Sequence, residues 1–286
     1  MSDTLKGLTL RNLAGAEELE LPLSWAAREG WNPGLSDAAA FYAADPEGFF
    51  LASLEGRLVG SASMVVYGPN YAFGGLYMVE PDLRGRGIGR ALVEAVLTRA
   101  GRRVTGLDGV VAQQANYRAM GFEPAFSSLR YEARGGGADP GGVVELAGRW
   151  EQALAQVKAL DTFCFPAPRE AFLRHWLRYP DGAALGVARG AELTAYGLLR
   201  PCQVGHKIGP LFAQSPADAE RLFQAFLHRA GQGPVFIDAP QNNPEAVALV
   251  KRHGLSPVFE CGRMYRNGRP PWRAQLVYGI TTFELG

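Results

Sequence analysis

The stretch of the chain richest in chemistry runs Val79-Glu80-Pro81-Asp82-Leu83-Arg84-Gly85-Arg86-Gly87-Ile88-Gly89-Arg90-Ala91-Leu92. A strand ends, a glycine-rich loop turns, and an apolar-periodic segment begins. Helix N-termini carry free backbone N–H groups and a partial positive charge. Glycines let a pyrophosphate approach that backbone closely. Arg84, Arg86 and Arg90 add positive charge around it. The physics alone points to a ligand bearing a diphosphate.

Two nucleotide readings compete for this loop. Gly85, Gly87 and Gly89 with Asp108 downstream suggest a dinucleotide site and a nucleotide-dependent oxidoreductase. The third glycine is one residue out of place, however, and such fingerprints usually open their domain, whereas several strands precede this one. A P-loop is excluded because no Gly-Lys-Ser/Thr follows.

The loop must be held by regular elements. Leu8 to Leu13 reads as a strand and Glu17 to Arg28 as a helix weakened by Pro22. Ser36 or Asp37 can cap a helix from Ala38 to Ala44. Gly48–Leu54 and Leu58–Tyr67 form a hairpin across Glu55-Gly56-Arg57, and Ala72–Val79 is a further strand. From Ile88 to Ala100 the residues Ile88, Ala91, Leu92, Ala95, Val96 and Ala100 fall on one helical face. A strand over Val104–Val111, a short helix over Gln114–Met120 and a strand over Phe126–Glu132 complete this half.

Five glycines and a proline within Gly135–Gly142 predict a flexible linker. The expected division is therefore residues 1–134, a linker over 135–142, and residues 143–286. The second part echoes the first. Gly121-Phe122-Glu123-Pro124 returns as Gly254-Leu255-Ser256-Pro257, and Thr98-Arg99-Ala100-Gly101 as His228-Arg229-Ala230-Gly231. Offsets of 133 and 130 residues in the same order argue for duplication over chance turns. In the copy, Ser215 caps a helix with Pro216 in its first turn, and Leu211-Phe212-Ala213-Gln214 stands where the glycine cradle was. Val250 stands where the first copy has Tyr117.

Arg84-x-x-Gly87-x-Gly89 after the strand end, followed by Tyr117-Arg118-Ala119-Met120-Gly121-Phe122, resembles the acetyl-CoA signature of the GNAT superfamily of N-acetyltransferases. The whole chain resembles bacterial tandem-GNAT proteins of the YitH/HmiA-like group. The resemblance implies an α/β (α+β) fold of two tandem GNAT-like domains, each a mixed, mostly antiparallel central sheet flanked by helices. The first is expected to bind acetyl-CoA and the second to have lost that ability. Tyr77, Met78 and Val79 are implied beside the pantetheine arm, with Arg84, Gly85, Arg86, Gly87, Ile88, Gly89 and Arg90 around the pyrophosphate. A backbone N–H there would polarise the thioester carbonyl. Tyr117 is implied as the general acid for the departing thiolate, its alternative being a core tyrosine.

The implied acceptor is a primary amine of a small molecule or a protein. An alkylammonium has a pKa of about 10.4, so a carboxylate must help remove its proton. Glu29, Asp37 and Glu80 are candidates, with Trp31 and Asn32 as acceptor-site lining; a structural loop is the alternative for the last two. The amine attacks directly, without a covalent enzyme intermediate. A different class of function, a non-catalytic acyl-CoA sensor, keeps the fold and loses the acceptor chemistry. His206, Asp238 and Asn243 read more readily as surface or turn residues than as cleft residues.

Formal net charge is +1, which leaves no basic excess for nucleic acid. The apolar runs are of strand length, so no membrane span is expected. Met1 to Lys6 lacks the blocks of a signal peptide, and Cys164, Cys202 and Cys261 form no CxxC pair. The expectation is a cytoplasmic protein with reduced thiols, no metal site, and a possible homodimer.

Overall fold

The computed structural model describes residues 6–286. Residues 1–5, on which most of the signal-peptide reading rests, lie outside the described residues. The first half runs β1 (Leu8–Asn12), α1 (Glu20–Arg28), α2 (Asp37–Ala44), β2 (Phe49–Leu54), β3 (Arg57–Val66), β4 (Tyr71–Val79), α3 (Ile88–Ala100), β5 (Val104–Val110), α4 (Gln114–Ala119) and β6 (Glu123–Arg134). The second half repeats this order: β7 (Val144–Glu145), α5 (Trp150–Cys164), α6 (Glu170–Trp176), β8 (Ala183–Arg189), β9 (Glu192–Pro201), β10 (His206–Ala213), α7 (Pro216–Ala230), β11 (Pro234–Pro240), α8 (Pro244–Arg252) and β12 (Ser256–Arg266). A short β13 (Val277–Gly279) follows. Among the described residues no helix is long and apolar enough to cross a membrane.

Each half carries a mixed, mostly antiparallel sheet flanked by helices, and the two sheets join into one, in the order β1-β2-β3-β4-β5-β12-β6-β11-β10-β9-β8-β7. The order is symmetric about its centre. Each half sends its last strand into the other: β12 pairs with β5, and β6 pairs with β11. The two exchanged strands pair antiparallel with each other, from Ser256↔Glu132 to Tyr265↔Glu123. The exchange leaves neither β5 nor β11 with an open edge on that side.

The sides of the sheet are set by alternation along the strands. On β4, Tyr71 and Phe73 face α1, α2, α5 and α6, while Ala72 faces α3. A register shift against β3 between Ser61 and Ser63 then reverses the parity, so Leu76 and Met78 face the first group and Tyr77 and Val79 face α3. In α3 the buried residues are Ile88, Leu92, Val96 and Ala100, four of the six assigned to its apolar face from periodicity. Residues 277–286 are buried throughout and run between the two halves.

The linker at 135–142 begins with three residues bonded to the second half. Gly135 N donates to Gly233 O at 2.7 Å and Gly136 N to Leu227 O at 2.7 Å, while Gly137 O lies 2.9 Å from His228 Nδ1. Its glycines serve a path with positive φ at 136, 137, 141 and 142 that other residues adopt poorly.

Candidate active site

β4 and β5 pair in parallel only from Tyr71↔Val104 to Gly74↔Leu107, then part. The parting begins at the bulge, where Leu76 takes φ +45° and its carbonyl accepts from Ser61 Oγ at 2.8 Å. A cavity of about 70 Å³ lies in the gap, lined by Gly75, Leu76, Leu107, Tyr117 and Glu284 among others. A larger cleft of about 470 Å³ continues from it past Tyr77, Met78 and Val79 to Arg84, Gly85 and Gly89. Trp31, Asp108, Tyr117 and Phe259 border both.

At the mouth of this cleft the glycine loop meets α3. Gly85 and Gly87 have φ of +78° and +91°, and no side chain caps the helix. Its first-turn N–H groups are therefore left for an external partner. Gly89 lets Tyr77 come close, because a Cβ there would lie 2.4 Å from Tyr77 Oη and the ring would have to shift. Arg84 fixes the loop, donating from Nε to Val79 O at 2.9 Å and from Nη2 to Glu29 Oε1 at 2.6 Å. Of the residues assigned to this site from sequence, Arg86 is exposed, and Arg90 is exposed and paired with Glu94. The side chain of Ile88 is spent on the core, so only its backbone faces the loop.

Tyr117 stands in the gap itself. Its ring lies edge-on to Phe122, at 6.4 Å between centroids, and so close to Gly109 that a Cβ there would come within 2.7 Å. Burial raises its pKa, with smaller contributions from Tyr77 and Cys261, so the hydroxyl holds its proton at neutral pH.

The three carboxylates expected as bases fare differently. Glu29 lines the cleft but is bound to Arg84. Glu80 is paired with Arg28 at 3.0 Å. Asp37 is fully buried away from the cleft, held by Arg200 Nε at 3.0 Å and Tyr179 Oη at 3.0 Å, where it joins the halves. Trp31 lines both spaces. Asn32 does not: with φ +53° it exchanges hydrogen bonds of 3.0 and 2.9 Å with the Val204 backbone and so ties its loop to the second half.

Phe259, Cys261, Phe283 and Glu284 also line the cavity, and none was assigned to a site from sequence. They reach it through the exchanged β12 and segment 280–286, which local patterning does not reveal. Burial pushes the Cys261 thiol up, Asp108 and Asp238 add to this, and so it stays a protonated, weak nucleophile. Among the described residues no cluster of potential metal ligands occurs.

In the second half the equivalent gap is filled by the chain itself. β10 and β11 pair only over His206–Ile208, and β13 then pairs with β10 at Leu211↔Gly279 and Phe212↔Val277. Asn243 is buried, caps α8 through Glu245 N, and donates to Val277 O at 2.8 Å. Asp238 is likewise buried, so neither lies at the surface, though Asn243 does close a turn, donating from N to Pro240 O at 3.3 Å. The start of α7 is closed by Ser215, whose Oγ accepts from Asp218 N at 3.2 Å.

Residues 16–122 match the acetyltransferase (GNAT) family, and residues 157–279 match an acetyltransferase (GNAT) domain. The chain is 30% identical over 276 residues to holothin acyltransferase of Pseudoalteromonas sp. (strain SANK 73390), covering 96% of this chain and 93% of that one. Its fold is similar to that of a putative acetyltransferase from Pyrococcus horikoshii, with TM-score 0.83, 26% identity, and coverage of 98% and 96%. It also resembles a tandem GNAT protein from the clavulanic acid biosynthesis pathway, with TM-score 0.61, 16% identity, and coverage of 92% and 99%. A glycine cradle before α3, a gap beyond Gly74 and these likenesses agree: the chain belongs to the GNAT family, an acyl-CoA-dependent acyltransferase with two GNAT domains in tandem.

Proposed function

We propose that this enzyme is an acetyl-CoA-dependent N-acetyltransferase that passes the acetyl group to a primary amine of a small molecule or protein, both substrates being bound together. The observation that carries this reading is the parting of β4 from β5 beyond Gly74, with Tyr117 inside the gap and the uncapped start of α3 at its mouth. An uncapped helix start flanked by Arg84 suits a pyrophosphate. The edge of β4 left open by β5 over Tyr77, Met78 and Val79 suits an extended arm bearing amides. The second half supports this by analogy, since the matching gap holds an extended peptide, β13, against β10.

Acetyl-CoA supplies an activated thioester when bound. The bulged backbone near Gly75 and Leu76 is placed to polarise its carbonyl. The amine nitrogen bonds to the carbonyl carbon, the C–S bond breaks as Tyr117 gives its proton to the departing sulfur, and the nitrogen's surplus proton returns to the Tyr117 oxygen. Direct attack fits the protonated state of Cys261.

Calorimetric titration with acetyl-CoA tests the reading. The wild type is expected to bind at micromolar concentration and an Arg84→Ala/Gly87→Ala double variant to lose binding. A screen of amines following CoA release then identifies acceptors. Failure of the wild type to bind acetyl-CoA or CoA would overturn it.

A further inference from the structure

The interface between the halves buries a set of charges, and nearly all are matched one to one. Asp37 is held by Arg200, Asp108 by Arg263, Asp161 by Arg169 and Asp238 by Arg130. Two buried charged groups there stand outside these pairs, Lys207, whose ammonium is held by backbone carbonyls, and Glu284. Glu284 is 2% exposed, yet it has no ion pair among the described residues, and its buried Oε1 has no hydrogen-bond partner. An unpaired buried carboxyl is costly, and such groups are retained where function needs them.

Its surroundings give the function. Glu284 lines the same cavity as Tyr117, Trp31 and the bulge of β4. Its backbone is pressed against Gly75: a Cβ there would lie 2.1 Å from Glu284 O. The contact fixes the backbone of Glu284 beside the point where β4 and β5 part. The charged groups facing it are Lys207 from β10, Arg200 from β9, Arg130 from β6 and Asp37 from α2. Lys207 is the nearest in influence, but its ammonium is held by the carbonyls of Asn32 at 2.7 Å and Trp31 at 3.3 Å. The cations favour an ionised Glu284 without occupying its oxygens.

We propose that Glu284 is the base that takes the proton from the acceptor's ammonium, supplied to the first half's site by the second half. This inference rests on the acyl-transfer reading above. The acceptor ammonium gives one proton to the Glu284 carboxylate, its freed lone pair forms the N–C bond, the C–S bond breaks as Tyr117 gives its proton to the departing sulfur, and the adduct's nitrogen returns a second proton to the Tyr117 oxygen. The protein thus gains one proton, at Glu284, which passes to water, while Tyr117 ends the cycle as it began. Burial raises the pKa of Glu284, Asp37 adds to this, and the three cations oppose it, which makes it a stronger base than a surface glutamate. The same placement explains why the second half is retained although its own gap is filled.

The test compares the wild type with Glu284→Gln and Glu284→Asp, using the best alkylamine from the acceptor screen. Calorimetry with acetyl-CoA is expected to give the same affinity for all three, which reports that fold and cradle are intact. At pH 7 the kcat/KM for the amine is expected to fall by about 10²-fold or more in Glu284→Gln, with Glu284→Asp between. The deficit should shrink as the pH approaches the amine's own pKa of about 10.4, because the acceptor then arrives deprotonated. A purely structural residue would lower the rate equally at all pH values. Activity within threefold of wild type at pH 7, or a deficit independent of pH, would overturn the proposal. If the wild type acylates no amine at all, the acyl-transfer reading itself fails, and that result is visible without any variant.

Discussion

Arg263 reaches out of the exchanged strand β12 and donates two hydrogen bonds, of 2.7 and 2.8 Å, to the carboxylate of Asp108 on β5. The copy of this contact lies across the centre of the sheet, where Arg130 on β6 donates to Asp238 on β11 at 2.7 and 2.9 Å. Arg263 stands 133 residues after Arg130, and Asp238 stands 130 after Asp108, the offsets of the internal repeat. Duplication and strand exchange therefore meet in one pair of reciprocal locks. Each lock is buried and joins a strand of one half to a strand of the other.

Breaking one lock is expected to cost far more than removing it whole. Arg263→Met leaves Asp108 buried without its partner, a loss of about 3–5 kcal/mol. The Asp108→Asn/Arg263→Met double variant removes both charges and should lose less than the two single variants added together. Urea unfolding of the four proteins of this cycle measures the difference, and strict additivity would mean the pair is not coupled.

The two aspartates should respond differently to acid. Burial alone raises both. At Asp238 the cations Arg130, Lys207 and Arg200 outweigh it, and the carboxyl is held below its ordinary value. At Asp108 only Arg263 opposes burial, Asp238 adds a like charge, and the carboxyl is raised. A lowered folded pKa contributes stability that is present above the unfolded value, about 3.9, and is lost as the pH falls below it. Urea unfolding between pH 5 and 3 should therefore show a loss of stability that is less steep in Asp238→Asn. An unchanged slope in that variant would assign the acid loss to other carboxylates.

Much of the first half was legible because its signals are local. The loop from Arg84 to Gly89, the apolar face of α3 and the Tyr117–Phe122 turn are written in short spacings, and each appears where those spacings place it. Asp37 was misjudged because its sequence suits a helix cap, while Arg200 and Tyr179, from the other half, draw it inward. Glu284, Cys261 and Phe259 were missed for the same reason in reverse. They reach the cavity through a strand exchange between distant segments, which no local period records. The offset shared by Arg130 and Arg263 was the one trace of it in the sequence.

Tyr117 can be tested in two independent ways. Tyr117→Phe removes the proton donor and keeps the ring against Phe122, so kcat is expected to fall by about 10²-fold while acetyl-CoA affinity holds. Gly109→Ala keeps the hydroxyl but drives a methyl into the ring, which sits 2.7 Å from the required Cβ position. It should lower kcat by displacing the same group. Steady-state kinetics with calorimetry separates these effects from loss of binding. Wild-type turnover in Tyr117→Phe would show that the thiolate leaves without this donor.

The filled gap of the second half sets the binding stoichiometry. β13 occupies the space between β10 and β11, Asn243 fastens it through Val277 O, and Ser215 closes the start of α7. An acyl-CoA molecule there would have to displace a paired strand and find an anion site already satisfied. Calorimetry is expected to give one acetyl-CoA per chain. Asn243→Ala is expected to lower stability by about 1–3 kcal/mol, since the buried Val277 carbonyl loses its partner. It should leave the stoichiometry at one, because Ser215 still caps α7 and no glycine cradle is created. Two sites per chain in the wild type would mean that β13 moves aside and that both halves bind the co-substrate.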